Sequence, residues 1–205
     1  MINNFEQIKG LLDFKSEDDF YFVQVFQRKK DNPGIVKGSN NNNRLIKAYY
    51  IRSLKHLEEY QQEMINLANL FNARVGINLN KRSFYKTAFN TLKKIAEQMH
   101  NKDFMNVKKA YNTSCGIHNG TDDKIWILDI DEDMDLDIIV SFIDDKCYPL
   151  SQKDLFGHTE SKVLAKIPSK TGIHIIVKAF DLREFKVQYP TIEIHKNNPT
   201  NLYIP

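Results

Sequence analysis

Residues 123 to 142 read DKIWILDIDEDMDLDIIVSF, and in this stretch Asp129 and Asp131 close an apolar run, with Glu132, Asp133, Asp135 and Asp137 behind them. On a strand, residues two apart face the same way, so Asp129 and Asp131 share one face while Trp126, Leu128 and Ile130 take the other. Two neighbouring carboxylates repel and raise a pKa unless a cation sits between them. Mg2+ or Mn2+ suits that role, because it accepts one or two carboxylates and completes its shell with water and phosphate oxygens. The four later acids fit a solvated turn and the start of a helix, where negative charge is favoured.

Two further clusters carry chemistry. In PSKTGIHIIVKAF (168–180), Ile173, Ile175 and Val177 form an apolar face and leave His174 on the opposite one. Just before it, Ser169, Lys170, Thr171 and Gly172 offer hydroxyls, an ammonium and an unobstructed backbone amide, the groups that hold a triphosphate. In TIEIHK (191–196), Ile192 and Ile194 face a core while Glu193 and His195 share the other side. Either of that pair could complete a metal site. Taken singly these signals are ordinary, since a strand histidine is usually packed and an edge acid usually solvated. Their succession along the chain is the informative feature.

The elements that must position them follow from periodicity. FYFVQVFQR (20–28) and RLIKAYYI (44–51) are aromatic and β-branched and predict strands, separated by KKDNPGIVKGSNNNN, which reads as a mobile basic loop. Ser53 predicts the N-cap of a helix carrying Leu54, Leu57, Tyr60, Met64, Leu67 and Phe71 on one stripe. ARVGINLN (73–80) predicts a strand, and Ser83 caps a second helix. KIWILDID (124–131) is a nearly continuous apolar strand. A helix over 135–143, strands at KVLAKIP and GIHIIVKAF, then TIEIHK and NLYIP complete the chain.

Composition limits the function classes. The 205 residues, 41% hydrophobic with 13 Phe and 9 Tyr, support a packed core. No run approaches the roughly 18 apolar residues of a membrane helix, and MINNFEQIKGLLDF does not resemble a signal peptide. A soluble cytoplasmic protein is expected. Cys115 and Cys147 are too few for a disulfide framework and read as half-buried thiols. Residues 1–110 hold 19 Lys and Arg against 11 Asp and Glu, net +8, whereas residues 111–205 hold 10 against 15, net −5. A basic half beside an acidic half suits a protein that holds a polyanion near metal ions. Arg74, Lys81 and Arg82, flanking VGINLN, are the candidate nucleic-acid contacts, and Tyr49, Tyr50 or Tyr85 could stack on bases.

LDID (128–131), GIH (172–174) and IE (192–193) follow in an order that resembles the archaeo-eukaryotic primase superfamily, especially the small phage- and plasmid-type primase-polymerases. The resemblance implies an α+β fold in which an N-terminal αβ unit (1–110) packs against an RRM-like, palm-like half (111–205), with the catalytic cleft between them. It implies that Asp129, Asp131 and Glu193 hold two Mg2+ or Mn2+ ions, and that His174, helped by Ser169, Lys170 and Gly172, contacts the phosphates of an NTP or dNTP. Single-stranded DNA as template, a separate replicative helicase as a partner and a phage or plasmid origin are implied in the same way. Two departures stand out: the third motif has Glu where Asp is usual, and His174 lies only 19 residues before Glu193.

Three other classes share parts of this pattern. Nucleotide-sugar glycosyltransferases use Asp-x-Asp after an apolar strand, although no early nucleotide-binding βα unit is present here. A metal-dependent nuclease needs the same acids and a phosphodiester. A non-catalytic single-strand-binding module would keep the basic half and make no use of the carboxylates.

Overall fold

The computed structural model describes residues 1–34, 43–117, 124–131, 134–150 and 161–205. Residues 35–42 of the basic loop, Glu132 and Asp133 lie outside the described residues. Among those described, the chain is a mixed α+β fold of six α-helices and two antiparallel sheets.

The first sheet is organised by β2 (Asp19–Arg28), whose alternate residues are apolar on both faces and which therefore sits inside the sheet. It pairs antiparallel with β3 (Asn43–Ile51) and β4 (Arg74–Ile77), and the short β5 (Arg82–Ser83) joins its first residues. The helix α2 (Leu54–Phe71) begins at Ser53, whose side chain accepts from the His56 amide, and ends at Asn72 in the left-handed region, φ 46°. Its Leu57 and Met64 from the stripe the sequence marks, together with Ala68, are buried against Tyr21, Val23, Val25, Val75 and Ile77, while Tyr60, Leu67 and Phe71 pack partly and Leu54 stays exposed. On the opposite face Phe20 and Phe22 meet Cys115 and Phe84, from α4 (Ala110–Gly116) and α3 (Phe84–His100). Two short elements, β1 (Ile2–Asn3) and α1 (Phe5–Lys9), precede these and have no counterpart in the sequence reading.

The second sheet has β6 (Ile125–Asp131) between β8 (Gly172–Lys178) and β9 (Glu193–His195), with β7 (Val163–Pro168) outside β8. Trp126, Leu128 and Ile130 point to one side, where Ile139 and Ile143 of α5 (Leu136–Lys146) and Phe185 of α6 (Leu182–Gln188) cover them. Asp135 caps α5 by accepting from the Asp137 and Ile138 amides, the structural role expected of the later acids. On the other side Ile127, Ile167 and Ile176 join the core of the first sheet. Ile127, Leu128 and Ile130 are essentially fully buried, each contributing roughly 2 kcal/mol by leaving water. Because β6 is apolar on both faces up to Leu128, its acids can stand only where the shared core ends.

In the second half, further features differ from the sequence reading. Residues 182–188 are helical, opened by Asp181, whose carboxylate accepts from the Arg183 amide; at seven residues α6 is too short for a period to register. The last strand, β10 (Thr200–Ile204), leaves the second half and inserts between β1 and β4 of the first sheet. The division at residue 110 thus marks a change of charge, whereas the first sheet is closed by the chain's final residues.

The crossing from β9 to β10 is held by amides and one guanidinium. Asn80 donates to the carbonyls of Ile125 (2.7 Å) and Lys196 (3.2 Å) and accepts from the Ile125 amide (2.8 Å). Asn78 donates to the Asn197 carbonyl at 2.6 Å. Arg82 donates to the carbonyls of Cys115 (2.9 Å) and Asn80 (2.5 Å) and to Asn197 Oδ1 (2.6 Å). The segment that carries His195 is therefore fixed to the first sheet.

Candidate metal centre

Strand register aligns the polar groups. Asp129, on the central β6, stands opposite His174 on β8 and Glu193 on β9. His195, two residues beyond Glu193, shares its face. One ligand atom from each of Asp129, Glu193 and His195 lies within 4.8 Å of the others. His195 Nε2 is 3.5 Å from Glu193 Oε2 and 4.0 Å from Asp129 Oδ2. His174 Nε2 approaches the other Asp129 oxygen at 3.5 Å. Two carboxylates and an imidazole fit a divalent ion, and an imidazole in the set suits Mn2+ better than Mg2+.

Asp131 does not belong to this group. It lies one step further along β6, exposed and opposite Gly172, so the third donor comes from His195 rather than from the second aspartate. The Asp-x-Asp spacing does put both side chains on one face, but the ligand-bearing strand β9 ends beside Asp129. Gly172 has a structural reason to be glycine: a Cβ there would collide with the Ile130 carbonyl of β6. Its own carbonyl accepts from the Ser169 amide at 2.8 Å, which closes the β7–β8 turn.

Each imidazole has a partner behind it. His174 Nδ1 is 2.9 Å from Thr200 Oγ1, and His195 Nδ1 is 3.0 Å from Asn198 Nδ2. Asn198 comes from the crossing segment, where the sequence shows only an Asn-Pro turn, and Thr200 is the first residue of β10. His174 is nine-tenths buried, and burial pulls its pKa below the ordinary value; the Asp129 carboxylate opposes this, while His195, Arg74 and Arg28 reinforce it. The field of Arg28 and Arg74 reaching His174 places cations of the first sheet beside the second.

Lys170 also faces the first sheet. Its side chain is 55% exposed and its ammonium is 3.2 Å from Asp31 Oδ1, and Asp31 binds Arg74 through Nε (2.7 Å) and Nη2 (3.0 Å). Burial acts to raise the Asp31 pKa, but hydrogen bonds from Arg74 and Lys170 hold it below the ordinary value. Neither Asp31 nor Arg28 stands out in the sequence, because nothing in the spacing links them to residues 140 positions away.

The three cations expected to contact nucleic acid are engaged in structure. Arg74 is buried on Asp31; Arg82 is 1% exposed within the crossing network, its pKa pushed by burial down to about 10; Lys81 pairs with Asp19 at 2.8 Å and donates to the Asp13 carbonyl. Carboxylates engage Arg74 and Lys81, and two carbonyls and Asn197 Oδ1 engage Arg82, so all three help to hold the fold together. Tyr49 is buried with its hydroxyl on Glu63, and Tyr50 is half-buried on Asn112; among the candidate stacking rings only Tyr85 is exposed.

No family model, curated protein or solved structure matches the chain. Among the described residues no helix is long and apolar enough to cross a membrane. Function is accordingly read from the chemistry of these side chains.

Proposed function

We propose that the chain is a template-dependent nucleotidyltransferase of primase-polymerase type, with its metal centre at Asp129, Glu193 and His195. The observation that carries this reading is the alignment of that cluster with His174 on the adjacent strand, at the border of the two sheets. The strand and helix order β6-α5-β7-β8-α6-β9, with both helices on one face, supports an RRM-like half, and the presence of α6 brings the order nearer to that arrangement.

The bound ion would lower the pKa of an attacking 3′-hydroxyl and neutralise charge on the triphosphate. Asp129 and Glu193 supply the negative charge that retains it, and His195 adds a nitrogen ligand through Nε2 when Nδ1 carries the proton and the Asn198 amide turns its oxygen to accept it. Burial pulls the His174 pKa down and so favours the neutral ring; in the tautomer where Thr200 donates to Nδ1, Nε2–H faces Asp129 Oδ1 at 3.5 Å and would turn to a phosphate oxygen once an ion engages that carboxylate. Lys170, half-exposed, can leave Asp31 for the same phosphates because Arg74 keeps Asp31 satisfied. Single-stranded DNA as template, and a choice between NTP and dNTP, complete the reading.

The test is extension of a primer on a single-stranded template with Mn2+ or Mg2+, comparing wild type with Asp129→Ala. Metal-dependent product from wild type alone supports the reading; no product under any condition, with nucleotide unbound, overturns it. A second reading, a metal-dependent nuclease, is favoured by one observation: Asp131 stands outside the cluster, so a single ion is better provided for than a pair. Cleavage of a labelled oligonucleotide in the absence of nucleotides would select it.

A further inference from the structure

The helix α3 is mounted with its apolar side outward. Of its 17 residues only Thr87 is buried. The Thr87 hydroxyl and the side-chain oxygen Oε1 of Gln98 are enclosed without a hydrogen-bond partner. Meanwhile Tyr85, Phe89, Leu92, Ala96 and Met99, spaced by four, three, four and three residues, form one stripe that is exposed. Tyr85 is 67% exposed and Leu92 64%. Beyond the helix, Phe104 and Met105 extend the apolar surface. A helix shaped only by its own fold would turn this face to the core, because burying a polar hydroxyl unpaired costs free energy and exposing several large apolar side chains gains none.

Charge defines what would cover it. Residues 84–110 contain six lysines, at 86, 93, 94, 102, 108 and 109, against Glu97 and Asp103, a net of +4. Lys86, Lys93 and His100 recur every seven residues, a basic row running beside the apolar one. The ion pair of Lys93 with Glu97 is long at 3.9 Å and solvent-exposed, so it does little to offset the charge of the two lysines. A second copy of this surface would meet it with like charge. Single-stranded nucleic acid would use the lysines, but the rings of Tyr85 and Phe89 are tilted against each other at 56°, centroids 4.8 Å apart, and aliphatic Leu92, Ala96 and Met99 separate them from Phe104, so the stripe offers successive bases no continuous stacking platform.

We propose that α3 is the docking surface for an acidic amphipathic helix of a partner protein, whose apolar stripe pairs with Tyr85, Phe89, Leu92 and Met99 and whose Asp or Glu row meets Lys86 and Lys93. The surface is separate from the metal centre and does not depend on the reaction performed there.

The test uses the full chain and three fluorescent probes: a helical peptide of about the length of α3 with Leu at intervals of three and four residues bordered by Glu, the same peptide with Lys for Glu, and a single-stranded oligonucleotide. The acidic peptide should bind with salt-sensitive affinity, and the Lys peptide should not. Binding should weaken by about tenfold or more in both Phe89→Ser/Leu92→Ser and Lys86→Glu/Lys93→Glu. All four positions are exposed, so both variants should keep the wild-type melting temperature, and a measured melt confirms that each is folded. Acidic-peptide binding that is absent or unchanged in both variants overturns the proposal. So does loss of oligonucleotide binding in Phe89→Ser/Leu92→Ser, which would assign the surface to nucleic acid. Self-association of the wild type that this variant abolishes would assign it to a second copy.

Discussion

Asp129 and His195 meet diagonally across the β6–β9 pair, Oδ2 to Nε2 4.0 Å, while Asp131 stands instead opposite the side-chain-free Gly172. The metal affinity should follow this division. Asp129→Ala and His195→Ala should each weaken Mn2+ binding by more than the roughly 10–100-fold typical of outer partners, and Asp131→Ala should change it by less than either. Titration of Mn2+ followed by electron paramagnetic resonance gives the constants. Equal losses at Asp129 and Asp131, with none at His195, would restore the paired-aspartate site.

The residues behind the imidazoles should matter in proportion. Asn198→Ala removes the partner of His195 Nδ1, and Thr200→Val removes that of His174 Nδ1. The first should lower Mn2+ affinity by roughly tenfold and leave the fold intact; the second should leave Mn2+ binding near the wild-type value and weaken nucleotide binding. Calorimetric titrations of the two ligands separate the effects, and the opposite pattern would mean that the two histidines exchange roles.

Much of this was legible in the chain, and the reasons differ by element. The long stripe of α2, the caps Ser53 and Ser83 and the apolar β6 register because periodicity and capping are local. The opposite faces of His174 and Ile175 follow from the period of two alone. Asp31 bridging Arg74 to Lys170 joins residues 43 and 139 positions apart, and Thr200 reaches His174 because β10 returns to the first sheet. No local pattern encodes such pairings. The structural engagement of Arg74, Lys81 and Arg82 is not legible for a related reason: charge counts do not say which cations have a carbonyl or carboxylate waiting in the fold.

Asp31 should govern part of the acid stability. Its folded pKa lies below the ordinary value of 3.8, so the native state binds fewer protons there than the unfolded chain. Its contribution is complete above that ordinary value and disappears as pH falls through the lower folded one. Asp31→Asn should cost about 3 kcal/mol at neutral pH, since it removes the negative partner of the buried Arg74. The variant should also lose less stability than wild type between about pH 5 and pH 3. Urea unfolding at both pH values measures each slope; parallel slopes would place the acid sensitivity on other carboxylates.

Gly172→Ala probes the close approach of β8 to β6. The added methyl collides with the Ile130 carbonyl, which is backbone and cannot turn aside, so the two strands must separate beside Asp131. A loss of roughly 1–3 kcal/mol is expected from denaturant unfolding. Nucleotide binding should fall with it, because the turn carrying Ser169 and Lys170 shifts.

Arg82→Met separates a structural cation from a nucleic-acid contact. The substitution keeps much of the side-chain length but leaves the Cys115 carbonyl, the Asn80 carbonyl and Asn197 Oδ1 without their donor. Unpaired buried acceptors cost about 1–3 kcal/mol each, and relaxation of the crossing segment recovers part, so a loss of roughly 3–5 kcal/mol is expected in urea. A phosphate contact behaves differently, since each one removed lowers the salt dependence of oligonucleotide binding by about one unit of slope. For Arg82→Met, measured at a temperature where the variant is folded, that slope should equal the wild-type value. A reduced slope with unchanged stability would return Arg82 to the nucleic-acid interface.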